Sequence, residues 1–350
     1  MAKKTKEERF NYAESVRALM QNGPARLYMI WGPEDYLSEQ YYLELKKLCL
    51  AGGDDDFSFH RLGERDFSAL KLAEAVDSIP FLSERSLVEL RNLDINKLPD
   101  ADEIIKTLSD IPDYCTVVFI NDSTFEPDKR LKLIKSILKS GTEIHTTAQS
   151  GDALVRWMIK RFAACGKGIE LSAAQRLIAV SGDLMNRLIP EIEKLAAYAK
   201  GDKVTLEDVE AVAHHIPEAV VLDMTERLSA GDTDFALSLL AELLADKNNE
   251  PIMILAVLGN QMRKLYAAKV AVSEGLDVSY VMKTCGIRFE FIASKLMASA
   301  RRFSMARLIR AVELCAETDH AMKSSGEDSV ELLKDCVLRI AAGESDVQNI

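Results

Sequence analysis

The sequence predicts an α/β domain with a five-stranded parallel sheet, followed by two all-helical regions. Three observations support this prediction. Up to residue 147, short apolar runs alternate with segments whose apolar residues recur at helical spacing. After residue 150 the short apolar runs stop, and only helical patterns continue to residue 342. In addition, 48% of the 350 residues are hydrophobic, which is enough to build folded cores.

The first region contains five predicted strands separated by amphipathic helices. The strands are predicted at residues 26–31, 57–62, 86–91, 115–120 and 142–146. The helices are predicted at residues 5–20, 35–50, 67–77, 100–109 and 128–139. Thr5 and Glu8 have the spacing of a capping box at the start of the first helix. Strands joined by helices need right-handed crossovers, which predicts a mainly parallel sheet covered on both faces.

The second region reads as four helices, and a linker separates it from the third region. The four helices are predicted at 151–165, 172–181, 183–199 and 205–214. Pro190 lies inside the third of them and should kink or split it, because proline removes a backbone donor. The linker is His214-His-Ile-Pro217. The predicted domains are 1–148, 149–216 and 217–343, with a tail at 344–350: the strand pattern ends near the first boundary, and the linker marks the second.

The third region is again helical throughout. Its helices are predicted at 219–229, 232–245, 251–273, 278–284, 288–300, 304–323 and 329–342. Pro251 occupies a first helical position, where its missing N–H costs nothing.

Composition excludes several classes of protein. Lys plus Arg is 44 and Asp plus Glu is 55, a net charge of −11, so any DNA contact must come from a local basic patch. No apolar run reaches the ~20 residues of a membrane span, and the start lacks the apolar core of a secretory signal. The six cysteines include no CxxC pair, which argues against a zinc site or a redox dithiol. We therefore expect a soluble cytoplasmic protein without a metal or cofactor.

The loop after the first strand lies where a P-loop would bind phosphates. That motif, GxxxxGK[ST], needs a lysine for the phosphate charge and a hydroxyl for magnesium. Here the chain has Gly32, Glu34, Asp35 and Ser38, without the second glycine or the lysine. The two carboxylates would repel a triphosphate, and Asp35 is expected to cap the following helix instead. The sequence therefore predicts a degenerate loop that binds no nucleotide.

Two later positions resemble remnants of an ATPase site. Glu89, Arg91 and Asp94 lie near the end of the third predicted strand, where an ATPase keeps its metal-binding acids. Asn121 follows the fourth predicted strand, where a sensor of the γ-phosphate would lie. Without the lysine, these residues are interpreted as turn or cap residues.

Several stretches resemble the DNA polymerase III delta subunit family. Leu27-Tyr-Met-Ile-Trp-Gly-Pro-Glu-Asp-Tyr-Leu37 is similar to that family's "YLIYGEEDYL", and Ser78-Ile-Pro-Phe-Leu-Ser-Glu-Arg-Ser-Leu-Val88 to its "LPFFSERRLV". Asp128-Lys-Arg130 matches "DKR", and the helix ending at Tyr198 resembles "NELEKLALYA". Further matches lie at 223–228, 261–263, 300–304 and 317–324. The matches keep their order over nearly the whole chain.

The resemblance implies an AAA+-like module without ATP binding, a small helical lid-like domain and a C-terminal helical collar domain. Such a subunit binds the β sliding clamp and opens it for loading on primer–template DNA. Its other partners would be the tau/gamma and delta prime clamp-loader subunits. The chain itself would be non-catalytic, within a DNA-directed DNA polymerase holoenzyme (a nucleotidyltransferase). It would associate with the nucleoid during replication.

The resemblance also implies a clamp-binding element at Ile79, Pro80, Phe81 and Leu82. This stretch follows a predicted helix and carries large apolar side chains beside a proline, which suits insertion into a partner's pocket. For an apolar pair without the family match, Phe81 and Leu82 would more often close the domain's own core.

Basic residues are concentrated in the last third of the chain. Residues 251–273 contain three bases and no acid, and residues 281–310 contain seven bases and one acid. Residues 311–350 reverse this balance, with three bases and nine acids. A basic face of this kind suits a DNA backbone, although a solvated helix face or an acidic partner subunit fits equally. The candidate DNA contacts are Arg263, Lys264, Arg288, Lys295, Arg301 and Arg302.

Two other functions remain open from the sequence. One is a divergent AAA+ ATPase of DNA replication or repair, which a nucleotide-binding titration would reveal. The other is a helical adaptor unrelated to replication, which would not bind a ring-shaped clamp.

Overall fold

The computed structural model describes residues 10–51, 58–80, 83–149 and 151–343. The contacts divide the chain into two compact units. The first unit comprises Met1–Gln149 together with Leu184–Asn186, and the second comprises Ser150–Asp183 and Arg187–Ile350. The division into three domains with a boundary at 216/217 stays a prediction.

A five-stranded parallel sheet forms the centre of the first unit. Its strands are β1 (Leu27–Trp31), β2 (Phe59–Leu62), β3 (Ser86–Arg91), β4 (Cys115–Ile120) and β5 (Thr142–His145). They lie in the order β2-β3-β4-β1-β5, and every neighbouring pair is parallel. The predicted α/β class is therefore confirmed. Phe57, at the start of the predicted second strand, lies outside the described residues.

In the described part of the first unit, five α-helices and one 3₁₀ turn connect and cover these strands. They are α1 (Tyr12–Asn22), α2 (Asp35–Cys49), α3 (Ala69–Asp77), the 3₁₀ turn Ile95–Lys97, α4 (Ala101–Ser109) and α5 (Lys132–Ser140). The first helix begins later than predicted, because the Asn11 side chain caps it by accepting the N–H of Glu14. The predicted capping box of Thr5 and Glu8 lies outside the described residues.

Alternation along the strands places apolar side chains on both faces of the sheet. On β1, Leu27 and Met29 pack into one core with side chains of α3, α4 and α5. Tyr28 and Ile30 point the other way, into a core with α1 and α2. The first unit is thus a three-layer sandwich, in which helices cover both faces of the sheet and the loops at the carboxyl ends of the strands lie outside the two cores.

Four helices follow the sheet: α6 (Gly151–Ala164), α7 (Leu171–Ser181), α8 (Met185–Tyr198) and α9 (Leu206–Val212). They belong to the second unit except for Met185 and Asn186 of α8, which group with the first. Two short parallel strands, β6 (Gly168–Ile169) and β7 (Lys203–Val204), pair between them. The prediction that strands stop after residue 150 is therefore wrong. Strands of two residues are too short to produce an alternating pattern, so only the tertiary pairing reveals them.

Pro190 lies inside α8 without splitting it. A proline here removes one backbone hydrogen bond, but Leu188, Ile192 and Leu195 are fully buried on the same helix. The predicted split at Pro190 does not occur, because the burial of these side chains keeps the helix continuous, and the alternative of a kink stays a prediction.

Up to residue 343, where the described part of the chain ends, seven more helices belong to the second unit. They are α10 (Pro217–Ala230), α11 (Thr233–Ala245), α12 (Pro251–Ser273), α13 (Val278–Cys285), α14 (Glu290–Arg302), α15 (Met305–Ser324) and α16 (Ser329–Ala342). The long helix α12 buries Leu258, Met262 and Leu265 at the centre of their shared core. No helix within the described residues has the length and apolarity needed to cross a membrane.

Candidate functional sites

The loop between β1 and α2 is shaped by Gly32. Its φ of +135° is a conformation that side-chain-bearing residues rarely adopt, and a Cβ there would lie 2.2 Å from the carbonyl oxygen of Thr146. Ser38, one turn into α2, is buried and shares a 2.8 Å hydrogen bond with the hydroxyl of Thr146. The hydroxyl expected at a magnesium site therefore already has a protein partner.

The two acids of this loop also have partners. The fully buried carboxylate of Glu34 accepts the backbone N–H of Met185, at 3.1 and 3.3 Å to its two oxygens, within the segment that groups with the first unit. Asp35 is the first residue of α2, and its carboxylate accepts the backbone N–H (2.7 Å) and the hydroxyl (3.0 Å) of Ser123. The expectation that Asp35 caps α2 is wrong, because its carboxylate faces the loop after β4. The loop offers a phosphate no cation.

Glu89 is not a turn residue, as the sequence interpretation had it, but a fully buried carboxylate within β3. Its oxygens accept from the hydroxyl of Tyr42 and from the guanidiniums of Arg91 (2.7 Å) and Arg61 (2.9 Å). Arg91 in turn binds Glu39 on α2 at 2.8 Å. An isolated glutamate in a strand pattern gives no sign of this cluster, because Arg61 and Tyr42 lie 28 and 47 residues before Glu89 in sequence.

Burial alone would raise the pKa of Glu89. The hydrogen bond from Tyr42 and the positive charges of Arg91 and Arg61 outweigh burial and hold that pKa below its usual value. Glu89 is therefore ionised at neutral pH and fully engaged, so it is not available as a metal ligand. Asn121, the expected sensor position, donates from its side-chain amide to the carbonyl oxygen of Leu93 at 2.6 Å.

The segment implied to bind a clamp follows α3. The helix ends at Asp77, and Ile79 has 75% of its surface exposed. Pro80 is half-buried, and Phe81 and Leu82 lie outside the described residues. Just before β3, the hydroxyl of Ser83 donates to the carbonyl oxygen of Arg85 at 2.7 Å. A large apolar side chain therefore faces solvent at the predicted position.

The six basic residues predicted to contact DNA separate into two groups. Lys295 lies 3.0 Å from Asp223 and 2.8 Å from Glu226, and Arg288 forms an ion pair with Asp183. Acids remote in sequence therefore already pair with these two bases, and their contact with DNA stays a prediction.

The other four basic residues show no ion pair within the described part of the chain. Arg263, Arg301 and Arg302 are exposed, and Lys264 is half-buried. Lys269, which sequence reasoning did not select, donates from its ammonium to the carbonyl oxygen of Arg301 at 3.3 Å. This contact brings the end of α12 to the end of α14 and gathers Lys269, Arg301 and Arg302 on one surface.

Metal chemistry has no candidate within residues 10–51, 58–80, 83–149 and 151–343. They contain no group of three or more His, Cys, Asp or Glu side chains that could hold a metal ion. All six cysteines are free thiols.

Comparison with known proteins gives a consistent result. Residues 28–147 match the family described as DNA polymerase III, delta subunit, and residues 218–340 match its C-terminal domain. The chain is 24% identical to a probable DNA polymerase III subunit delta of Aquifex aeolicus, over 89% of each chain. It is also 24% identical to the DNA polymerase III subunit delta of Bacillus subtilis, over 90% of this chain and 92% of that one. Among solved structures, the Bacillus subtilis DNA clamp loader delta protein matches with a TM-score of 0.55 and 20% identity, covering 95% of this chain and all of that one.

Proposed function

Because the chain belongs to the DNA polymerase III delta subunit family, we propose that it is the clamp-binding subunit of a clamp loader. It binds the β sliding clamp through Ile79, Pro80, Phe81 and Leu82 and opens the ring for loading on primer–template DNA. The observation that supports this most directly is the 75% exposure of Ile79, inside the region that matches the family.

The physical basis is apolar burial in the partner. Burying the side chains of Phe81 and Leu82 in a pocket would contribute about 3–6 kcal/mol, at ~1.5–3 kcal/mol for each. Binding energy of this size shifts a ring between closed and open states if the pocket lies near the ring seam and the open geometry binds better. The subunit then needs no nucleotide of its own.

A pull-down with the purified sliding clamp tests this proposal. We expect wild-type protein to retain the clamp without ATP, and Phe81→Ala with Leu82→Ala to lose it because the apolar contact is gone. The matched control is Met20→Ala with Leu43→Ala, which removes two exposed apolar side chains from the same unit. Clamp retention by the Phe81/Leu82 variant, or equal loss in the control, would contradict the proposal.

ATP hydrolysis belongs, in this proposal, to the tau/gamma subunits. The loop of Gly32, Glu34, Asp35 and Ser38 supports this division, because it has no lysine and its side chains already bind Ser123, Thr146 and Met185. The same observations disfavour a divergent ATPase. The helices from 217 to 343 would pack with the corresponding helices of tau/gamma and delta prime in a collar.

The residues proposed to contact DNA differ from the predicted set, because Arg288 and Lys295 are left out and Lys269 is added. We propose that Arg263, Lys264, Lys269, Arg301 and Arg302 approach the phosphates of primer–template DNA. The assignment is supported by their positions on α12 and at the end of α14, where none of them forms an ion pair with a residue that the structure describes. Contacts to phosphates carry no base information, so we expect binding that depends on charge and shape alone.

A salt titration of DNA affinity tests this assignment. Arg301→Gln with Arg302→Gln should reduce the slope of log affinity against log salt concentration by about 1.8, since each lost phosphate contact removes ~0.9. Lys323→Gln with Lys334→Gln removes the same charge from helices where both lysines are paired with acids, and should leave the slope nearly unchanged. Equal slopes for the two variants would contradict the assignment.

A further inference from the structure

Five charged side chains form a continuous row across four helices of the second unit. Arg176 on α7 binds both carboxylate oxygens of Glu210 on α9, at 2.6 and 3.2 Å. The same guanidinium reaches Asp223 on α10 at 3.1 Å. The other oxygen of Asp223 lies 3.0 Å from the ammonium of Lys295 on α14, which also binds Glu226 of α10 at 2.8 Å. The row therefore crosses from α7 and α9 to α10 and α14.

Asp223 is the central member of this row. Its side chain is 22% exposed and that of Arg176 is 20% exposed, so water screens their interaction less than that of a surface pair. Burial alone would raise the pKa of Asp223, but Lys295 and Arg176 outweigh burial and hold that pKa below its usual value. A shared, partly buried carboxylate in a network stabilises more than an isolated surface ion pair.

Further contacts join the same two groups of helices. Arg288, just before α14, pairs with Asp183, just after α7. The backbone N–H of Ile216 donates to the carbonyl oxygen of Val180 at 2.8 Å. The hydroxyl of Ser181 donates to the backbone carbonyl oxygen of His214 at 2.9 Å. The residues predicted to be a linker are thus bound to α7.

Apolar packing at this junction is incomplete. A cavity of about 280 Å³ lies between α7, α10, α12 and α14, lined by side chains that include Ile178, Leu222, Val257 and Leu296.

We propose that the row Glu210–Arg176–Asp223–Lys295–Glu226, with the Arg288–Asp183 pair, is an electrostatic clasp that makes α6–α9 and α10–α16 a single moving body. The predicted boundary at 216/217 is then not a hinge. A displacement imposed on α10–α16 by a partner reaches α6–α9 without a flexible joint. This inference does not depend on which partner binds.

Hydrogen exchange of the full chain, measured on peptides by mass spectrometry, tests the clasp. Asp223→Asn keeps the shape of the side chain but removes the charge that Arg176 and Lys295 share. We expect amides of residues 213–222 to exchange about tenfold faster in this variant, while residues 305–342 are unchanged. Glu193→Gln is the matched control, because it breaks the Arg161–Glu193 pair inside α6–α9 and does not cross the junction.

Wild-type protein gives a second measurement that needs no variant. Raising the salt concentration from about 0.05 to 0.5 M should accelerate exchange at 213–222 more than at 305–342, because salt screens the clasp. The proposal is overturned if residues 213–222 exchange equally in Asp223→Asn and wild type. It is also overturned if Glu193→Gln has the same effect, or if salt accelerates both regions equally.

Discussion

At the scale of single residues, Glu89 shows how a buried charge is tolerated in the sheet. Its carboxylate is removed from water within β3, but a tyrosine hydroxyl and two guanidiniums satisfy both oxygens. A buried ion pair contributes little compared with an apolar replacement, whereas removing one partner is costly because the remaining charges lose their counter-ion. Glu89 therefore fixes β2, β3 and α2 together.

Glu89→Gln should lower the free energy of unfolding by about 2–4 kcal/mol at pH 7. This is at or below the usual cost of breaking a buried ion pair, because the side chains of Arg61 and Arg91 reach solvent. The folded-state pKa of Glu89 is depressed, so its stabilisation is complete above the unfolded pKa of ~4.3 and is lost as pH falls through the folded value. The difference in unfolding free energy between the two proteins, measured by urea denaturation, should therefore shrink as pH falls below ~4.3. Glu44→Gln, in a surface pair with Lys47, is the control and should cost under ~1 kcal/mol. A difference that persists unchanged at pH 3 would contradict this account.

At the scale of secondary-structure elements, helix ends need partners for their last carbonyl groups. Arg307, near the start of α15, supplies them for two helices. Its guanidinium donates to Ile340 (3.1 Å) and Ala341 (3.0 Å) at the end of α16 and to Leu228 (3.4 Å) near the end of α10. It also lies over the ring of Phe303, 4.9 Å from its centroid. One side chain thus joins three helices.

Arg307→Lys should lower the free energy of unfolding by about 1–3 kcal/mol, because a single ammonium cannot reproduce the planar fork that reaches three carbonyl oxygens. Urea denaturation followed by circular dichroism measures the change. Arg302→Lys makes the same exchange at an exposed position and should change stability by less than ~0.5 kcal/mol. Equal stabilities for the two variants would show that Arg307 contributes no more than a surface arginine.

At the scale of the whole molecule, the chain folds as two units with separate apolar cores. Separate cores allow separate cooperative transitions. The chain contains two tryptophans, and each unit has one of them: Trp31 at the end of β1 and Trp157 in α6. Fluorescence can therefore report on each unit independently.

In Trp157→Phe, the remaining Trp31 should report the unfolding of the first unit by fluorescence. In Trp31→Phe, the remaining Trp157 should report the unfolding of the second unit. We expect urea midpoints that differ between these two variants, and a broadened or two-step transition for wild type followed by circular dichroism. The Trp31→Phe transition should coincide with the loss of helix from α10–α16, since α6 belongs to the same unit. Coincident midpoints for all three proteins would mean that the chain unfolds as one unit.

Local regularity is what made much of the fold predictable. The bounds of α12 and α16 match the predicted 251–273 and 329–342 exactly, because long apolar stripes and proline or aspartate at the start are encoded within the segment itself. The strands β1, β3 and β4 were predictable because each is a run of five or six mostly apolar residues, a pattern that also lies within the segment itself. The pair β6 and β7 could not be predicted, since two residues carry no period.

The candidate sites were predictable only in their residue types. The missing lysine after Gly32 and the apolar stretch at Ile79 are readable in the sequence, and the concentration of bases after residue 251 is as well. The sequence could not show which bases have acidic partners, because Asp183 and Asp223 lie 105 and 72 residues before Arg288 and Lys295.

The sequence by itself determined the class of the protein, the alternation of strands and helices and the loss of the phosphate-binding lysine, because these depend on neighbours in the chain. Only the tertiary structure decided which charges are free, which carboxylates are buried and where the helical regions are joined. Those properties depend on distances between residues remote in sequence, since Coulomb attraction and desolvation act through space and not along the chain.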